Sequence, residues 1–238
     1  MASQNMLLSA IPDEVFGRLG RFMTAQDLTS GLVLHRPGQP IHDVYFPLDC
    51  LISVTVTMLD GHTAEVGVLG NREMAGVNAF MGGRTTNQTG YVAQVPGAAV
   101  RMEAGPLLDE FDHNKPFRDV MLRYTQAYIA QLSQNVACNR RHSVSQRLAR
   151  WLLESRDGIQ SEDLSLTQEF IGQMLGSPRP VVSEAAARLQ ESGLIRYGRK
   201  AIRIVDSPGL EAVSCECYRV IRDEYDRLLG GRGASLPV

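Results

Sequence analysis

The stretch LTQEFIGQMLGSPRPVVSEAAARLQESGLIRYGRKAIRI, residues 166–204, decides the fold. Thr167 is placed to cap a helix whose first turn carries Glu169, and Phe170, Ile171, Met174 and Leu175 supply one apolar face. That helix stops at Gly176, a residue that tolerates the left-handed backbone wanted at a helix end. Ser177-Pro178-Arg179-Pro180 opens a second helix, where proline costs little because the first amides lack partners anyway. Val181, Val182, Ala185, Ala186 and Leu189 are its expected buried face, and Gly172 is read as the place where the two helices cross closely. The pair spells a helix-turn-helix. Residues 193–205 then alternate as two short strands around Gly198-Arg199-Lys200, a hairpin with two cations at its tip. A helix-turn-helix followed at once by a basic-tipped hairpin is the signature of a DNA-binding module.

Composition agrees with this reading. The 238 residues carry 24 Lys+Arg against 26 Asp+Glu, and 44% hydrophobic with 21% charged residues describes a globular chain of one large or two ordinary domains. The neutral total hides an asymmetry. Residues 1–112 hold 6 basic and 12 acidic side chains, residues 113–238 hold 18 and 14, and residues 140–203 hold 11 and 7. Positive charge confined to one region beside an acidic half suits contact with nucleic acid. No window approaches ~18 consecutive apolar residues and the start of the chain lacks the pattern of a secretory signal, so a cytoplasmic protein without a membrane partner is expected. Cys50, Cys138, Cys215 and Cys217 are too few for a disulfide framework. Cys215-Glu216-Cys217 is a candidate metal pair, but it lies on a helical pattern with no second His/Cys pair nearby. Neither a metal nor a cofactor is expected.

Upstream the period changes. From Leu32 to Met102 short β-rich pieces alternate with turn residues, and Asp60-Gly61 between two of them reads as a primed hairpin turn. Evenly spaced strands of this kind form an antiparallel roll. After Gly105, Phe117, Val120, Met121, Tyr124, Tyr128, Leu132 and Val136 recur every three or four residues, an apolar stripe nearly six turns long. A stripe on so long a helix pairs with a twin or covers the roll; Phe117, Met121, Tyr124, Tyr128, Leu132 and Val136 are assigned to a dimer interface. A helix over 143–156 follows, burying Val144, Leu148, Trp151 and Leu152 with Arg147 and Arg150 outward. Beyond the hairpin, Asp206-Ser207-Pro208 caps one more amphipathic helix, through Leu228, expected to pack on the winged module or on the other subunit.

With these residues in place the chain resembles the Crp/Fnr family of bacterial transcription regulators over nearly its whole length, from Gly38-Gln39-Pro40-Ile41 and Val44-Tyr45-Phe46-Pro47 to Ile171-Gly172-Gln173-Met174-Leu175-Gly176 and the hairpin. The resemblance implies an α+β fold: an N-terminal cyclic-nucleotide-binding-like antiparallel β-roll over 1–112, a dimerisation helix over 113–140, and a winged helix-turn-helix with a C-terminal helix over 141–238. It implies that Arg179, matching the family's recognition arginine, reads guanine O6 and N7, with Ser183 and Glu184 next along the base-facing side. Thr167, Gln168, Arg199 and Lys200 are placed for phosphates, and Arg188 either joins them or pairs with Glu184. Pro180 and Glu184 depart from residues common in the family, so the target sequence need not be that of the cyclic-AMP-responsive branch.

At the sensor end, family members that bind cyclic AMP present Gly-Glu-hydrophobic-Ala/Gly and then Arg-Ser/Thr. Here the matching positions read Gly76-Val77-Asn78-Ala79 and Asn87-Gln88-Thr89, with Arg84 upstream. A cyclic phosphate would be desolvated there without a charge partner, so weak or absent cyclic-nucleotide binding is expected. The iron–sulfur branch needs a cysteine cluster, which Cys50 and Cys138, standing alone, do not make. His35, His42, His62, His113 and His142 read as structural or surface residues. Glu65 and His62 are not an acid/base pair, since three residues of strand separate them onto opposite faces. With no catalytic or phosphate-loop motif, an enzyme is not expected. The expected function is that of a homodimeric regulator of palindromic double-stranded DNA, modulated by an unidentified small molecule, with RNA polymerase a further candidate partner. The alternative is a roll that binds no ligand and serves as a dimerisation or polymerase scaffold. A third reading is a small-molecule sensor whose winged domain no longer binds DNA.

Overall fold

The computed structural model describes residues 4–61, 63–83, 85, 89–166, 168–198 and 201–230, with the side chains of Gln168, Glu169 and Gln173 outside that description. Two short helices, α1 (Met6–Ala10) and α2 (Asp13–Leu19), lead into seven strands. These are β1 (Met23–Leu28), β2 (Val33–His35), β3 (Asp43–Pro47), β4 (Leu51–Thr57), β5 (Thr63–Leu69), β6 (Thr89–Val95) and β7 (Gly97–Glu103). They form two antiparallel sheets ordered β1-β7-β3 and β2-β6-β4-β5, the expected roll. Strand β1 has no apolar alternation to announce it, because it is a polar edge strand. The hairpin at Asp60-Gly61 forms, but Thr57 pairs with Thr63, so the connection is longer than a two-residue primed turn. Gly61 still supplies the positive φ, +84°, and its N–H donates to the Met58 carbonyl.

Helices α3 (Ala104–His113), α4 (Lys115–Arg141) and α5 (Val144–Ile159) follow. Asn114 caps α4 by accepting from the Phe117 amide, and Ser143 with Gln146 forms a capping box on α5. The apolar stripe of α4 lies on its own roll. Phe117, Met121 and Tyr124 are fully enclosed in the subunit's core, Tyr128 is buried and Leu132 packs against the same core. Tyr124 anchors the helix further: its hydroxyl donates to the Met74 carbonyl at 2.9 Å and accepts from the Met74 amide at 3.1 Å. Within the subunit these side chains are therefore taken up, Leu132 in part, by its own core. Of the six assigned to a dimer interface, Val136 alone is exposed, in line with Leu122 and Ile129 at seven-residue spacing along the flank of the buried stripe. Periodicity reports that a face is buried, not what buries it.

The second core gathers α5, β8 (Asp163–Leu164), α6 (Gln168–Leu175), α7 (Arg179–Glu191), β9 (Ile195–Tyr197) and β10 (Ile202–Ile204), with a β8-β10-β9 sheet. The expected single C-terminal helix is two, α8 (Ser207–Val213) and α9 (Cys217–Leu229), because Ser214 is extended and breaks the period. α9 turns away from the winged module and runs along α4. Its Ile221, Tyr225, Leu228 and Leu229 complete the core of the roll, and Tyr225 donates to Gln131 Oε1 at 2.8 Å. Packing thus assigns α9 to the N-terminal half.

Candidate nucleic-acid interface

The turn between α6 and α7 is closed as the sequence requires. Gly176 has φ +56° and the Ser177 amide donates to the Gly172 carbonyl at 3.1 Å, the six-to-one bond of a Schellman motif. A β-carbon on Gly172 would find the Ser177 carbonyl oxygen first, at 3.4 Å, so this glycine makes room for the turn and not for a helix crossing. Arg147 holds the turn from behind. Its guanidinium donates to the Leu175 carbonyl at 3.0 Å, to Asn139 Oδ1 at 2.9 Å and to Ser177 Oγ at 3.1 Å. Arg147 and Arg150, expected outside, are both buried. Arg150 is held by Glu154 and by Asn135 Oδ1, each at 2.8 Å. A buried guanidinium is tolerated where charged or carbonyl partners replace its water.

Pro178 caps α7, and Arg179 and Pro180 are its first residues. Val182, Ala185, Ala186 and Leu189 face the core, while Val181, read as buried, is exposed. Arg179, Glu184 and Arg188 are exposed and Ser183 is half-buried. Of the two roles left open for Arg188, the ion pair is present: it reaches Glu184 Oε1 at 2.5 Å and also donates to Ser145 Oγ at 3.0 Å. Thr167, Arg199, Lys200 and the side chain of Gln168 lie outside the described residues. The wing adds two cations that the sequence reading passed over. Arg196 and Arg203 stand opposite each other across β9 and β10, both exposed, with Ile195, Ile202 and Ile204 turned into the core. Period-two alternation was the available signal.

The roll carries a cavity of about 520 Å³ against α4, lined among others by Val54, Glu65, Asn78, Thr89, Tyr91, Tyr128 and Ile129. Three of the expected pocket residues, Val77, Asn78 and Thr89, line it. Gly76, at φ +98°, precedes the short turn holding Val77 and Asn78, and a β-carbon there would press Val44 Cγ1 at 3.0 Å. Asn87, Gln88 and Arg84 lie outside the described residues. Asn78 Oδ1 accepts from the Tyr91 hydroxyl at 3.3 Å. Glu65, dismissed as catalytic, is instead a cavity residue; burial pushes its carboxyl up to about 8, although the Ser53 hydroxyl donates to it. No Lys or Arg is among the described residues lining this cavity. A second expectation also changes: Cys138 does not stand alone, and with His142 it meets Cys215 and Cys217.

Residues 146–213 match the Crp-like helix-turn-helix domain. Across 219 residues, 88% of this chain and 97% of the relative, the sequence is 23% identical to the global nitrogen regulator of Synechococcus elongatus. It is 26% identical over 220 residues, 83% of this chain and 97% of the relative, to the CRP-like cAMP-activated global transcriptional regulator of Mycobacterium tuberculosis. Over most of its length the chain is thus similar to regulators of the Crp/Fnr type. Its fold is that of FixK2 from Bradyrhizobium japonicum, with a TM-score of 0.67 at 14% identity, covering 81% of this chain and 98% of that one. The Crp-like helix-turn-helix and the regulator relatives make the protein a DNA-binding transcription regulator. Among the described residues, no helix is long and apolar enough to cross a membrane.

Proposed function

We propose that this Crp/Fnr-type regulator works as a homodimer on palindromic DNA, presenting one α7 to each of two major grooves about 34 Å apart. The observation that carries the reading is the outward face of α7: Arg179 at its N-terminus, Glu184 and Arg188 along it, over a turn that Arg147 fixes rigidly. On this reading Arg179, Ser183 and Glu184 address bases. Thr167, Gln168, Arg199 and Lys200, joined by Arg196 and Arg203, address phosphates. Arg188 does so on leaving its exposed pair with Glu184, a pair worth about 0.2–1 kcal/mol and readily exchanged. The exposed Leu122, Ile129 and Val136 stripe, one residue per two turns, is the face offered to the second subunit.

The division of labour follows the packing, with residues 1–112 and α9 forming the sensor, 113–140 the connecting helix and the segment from 141 through α8 the DNA reader. The M. tuberculosis relative is described as cAMP-activated. In this chain the described cavity offers a carboxyl and no cation, so the effector is an uncharged molecule rather than a cyclic nucleotide. The cavity touches Ile129 and Val136, and an occupant would bias the dimer face directly. Selection of bound duplexes from a random pool tests the core of the reading. A palindrome with half-sites one helical turn apart is expected; enrichment of asymmetric or no sequences would overturn it. Calorimetry with cyclic AMP and cyclic di-GMP is expected to show no saturable heat.

A further inference from the structure

Four ligating side chains that DNA recognition does not use converge where the end of α4 meets the start of α9. Cys138 lies in the last turn of α4 and His142 is the residue that ends it; Cys215 precedes α9 and Cys217 is its first residue. Their Sγ and ring nitrogen atoms all lie within 4.8 Å of one another. Cys138 Sγ is 3.6 Å from Cys215 Sγ, and Cys217 Sγ is 3.5 Å from His142 Nδ1. A tetrahedral zinc ion, with Zn–S near 2.3 Å and Zn–N near 2.0–2.1 Å, sets neighbouring sulfurs about 3.8 Å apart and sulfur from nitrogen about 3.5 Å. The Cys138–Cys215 and Cys217–His142 pairs already stand close to those lengths, and the other pairs lie within 4.8 Å.

The surroundings are those of a metal site as well. His142 turns its other nitrogen, Nε2, to Glu216 Oε2 at 3.2 Å, the kind of carboxylate support that orients a ligating imidazole. Gln134 Nε2 donates to Cys217 Sγ at 3.0 Å. All three cysteines are buried in a small cluster of their own, and the Arg150 guanidinium lies within electrostatic reach of Cys138 and Cys215. Three thiolates and a divalent ion leave one negative charge, which that cation offsets. We propose that Cys138, His142, Cys215 and Cys217 form a mononuclear tetrahedral site for a borderline-soft divalent cation, with zinc as the resident ion. Three sulfurs and one imidazole nitrogen suit Zn²⁺. Four atoms this close cannot surround an iron–sulfur cube, and a Cys138–Cys215 disulfide would leave Cys217 and His142 without purpose. The ion clips α9 onto α4 one residue before Ser143 begins α5, so its occupancy fixes the direction in which the DNA-reading half departs.

Full-length protein purified with reductant and chelator, then titrated with Co²⁺, tests this. One equivalent is expected to give the intense visible absorption of tetrahedral thiolate-bound cobalt, abolished by adding Zn²⁺. Cys217→Ser is expected to lose it. Glu216→Gln, at an exposed position that leaves folding intact, is expected to weaken metal affinity roughly 10–100-fold with the spectrum retained. Failure of the folded wild-type protein to develop the spectrum, an unchanged affinity in Glu216→Gln, or isolation of a Cys138–Cys215 disulfide from metal-treated protein would each overturn the assignment.

Discussion

Gly70, just after β5, and Gly158, in the last turn of α5, approach so closely that a β-carbon on Gly70 would fall 2.5 Å from the Gly158 α-carbon. In the other direction, a β-carbon on Gly158 would meet Leu51 Cδ2 at 2.8 Å, and the Asn71 amide donates to the Gly158 carbonyl at 3.1 Å. Backbone thus meets backbone where the sensor roll touches the helix that carries the DNA reader, beside Leu51 and Val95 of the roll, which join the second core. Alanine in place of glycine inside a helix ordinarily stabilises by about 1 kcal/mol. Gly158→Ala is expected instead to cost about 1–3 kcal/mol, because the methyl must displace the buried Leu51 side chain and crowds the Gly70 α-carbon at 3.2 Å. Urea denaturation gives the sign, and a more stable variant would show that the contact yields freely.

Substitutions on the reader should separate into two kinds. Arg179→Ala is expected to lose about 1–3 kcal/mol of discrimination at one base pair of the selected site, with non-specific affinity little changed. Arg203→Ala is expected to weaken binding to all duplexes alike and to lower the slope of log affinity against log salt by about one. Fluorescence anisotropy over a salt series, with matched and mismatched sites, distinguishes them.

The two faces of α4 should answer differently to mutation. Ile129→Glu places a charge on the exposed stripe and is expected to give a folded monomer by sedimentation velocity, with a thermal unfolding temperature close to that of wild type at low concentration. Phe117→Ala empties a fully enclosed site and is expected to cost about 3–5 kcal/mol of stability. A dimer that survives Ile129→Glu would move the subunit contact elsewhere.

Acidity should matter in a defined window. Burial raises Glu65 from 4.5 to about 8 and Glu73, whose Oε2 accepts from the Gly70 amide, to about 7. A carboxyl raised on folding binds its proton more tightly in the fold, so its contribution is whole below the ordinary value and is lost as pH climbs through the folded one. Unfolding temperature measured by calorimetry is therefore expected to fall as pH rises from about 4.5 to about 8. Glu65→Gln keeps the shape without the charge and should flatten the upper part of that fall.

What could be read from the chain alone was what is local. The α6–α7 turn was legible because Gly176 and the flanking prolines act on their own backbone, and the wing because Ile195, Ile202 and Ile204 alternate with polar neighbours. Contacts made at a distance were not. Arg147 looked like any cation on a helix surface, yet it bonds to Leu175, 28 residues away. The stripe on α4 announced burial and was credited to a second subunit, when the chain's own sheets and α9 supply it. Cys138 and Cys215 are separated by 77 positions, and nothing in their spacing says that a helix will double back to join them.

The return of α9 to the first core has a consequence for how the protein comes into being. Tyr225 and Leu228 enter the sensor core from beyond the wing, so a ribosome must make the DNA reader before the domain begun first can close. A product ending after the wing would hold an intact DNA reader tethered to an unfinished sensor, and the cell would be expected to degrade it.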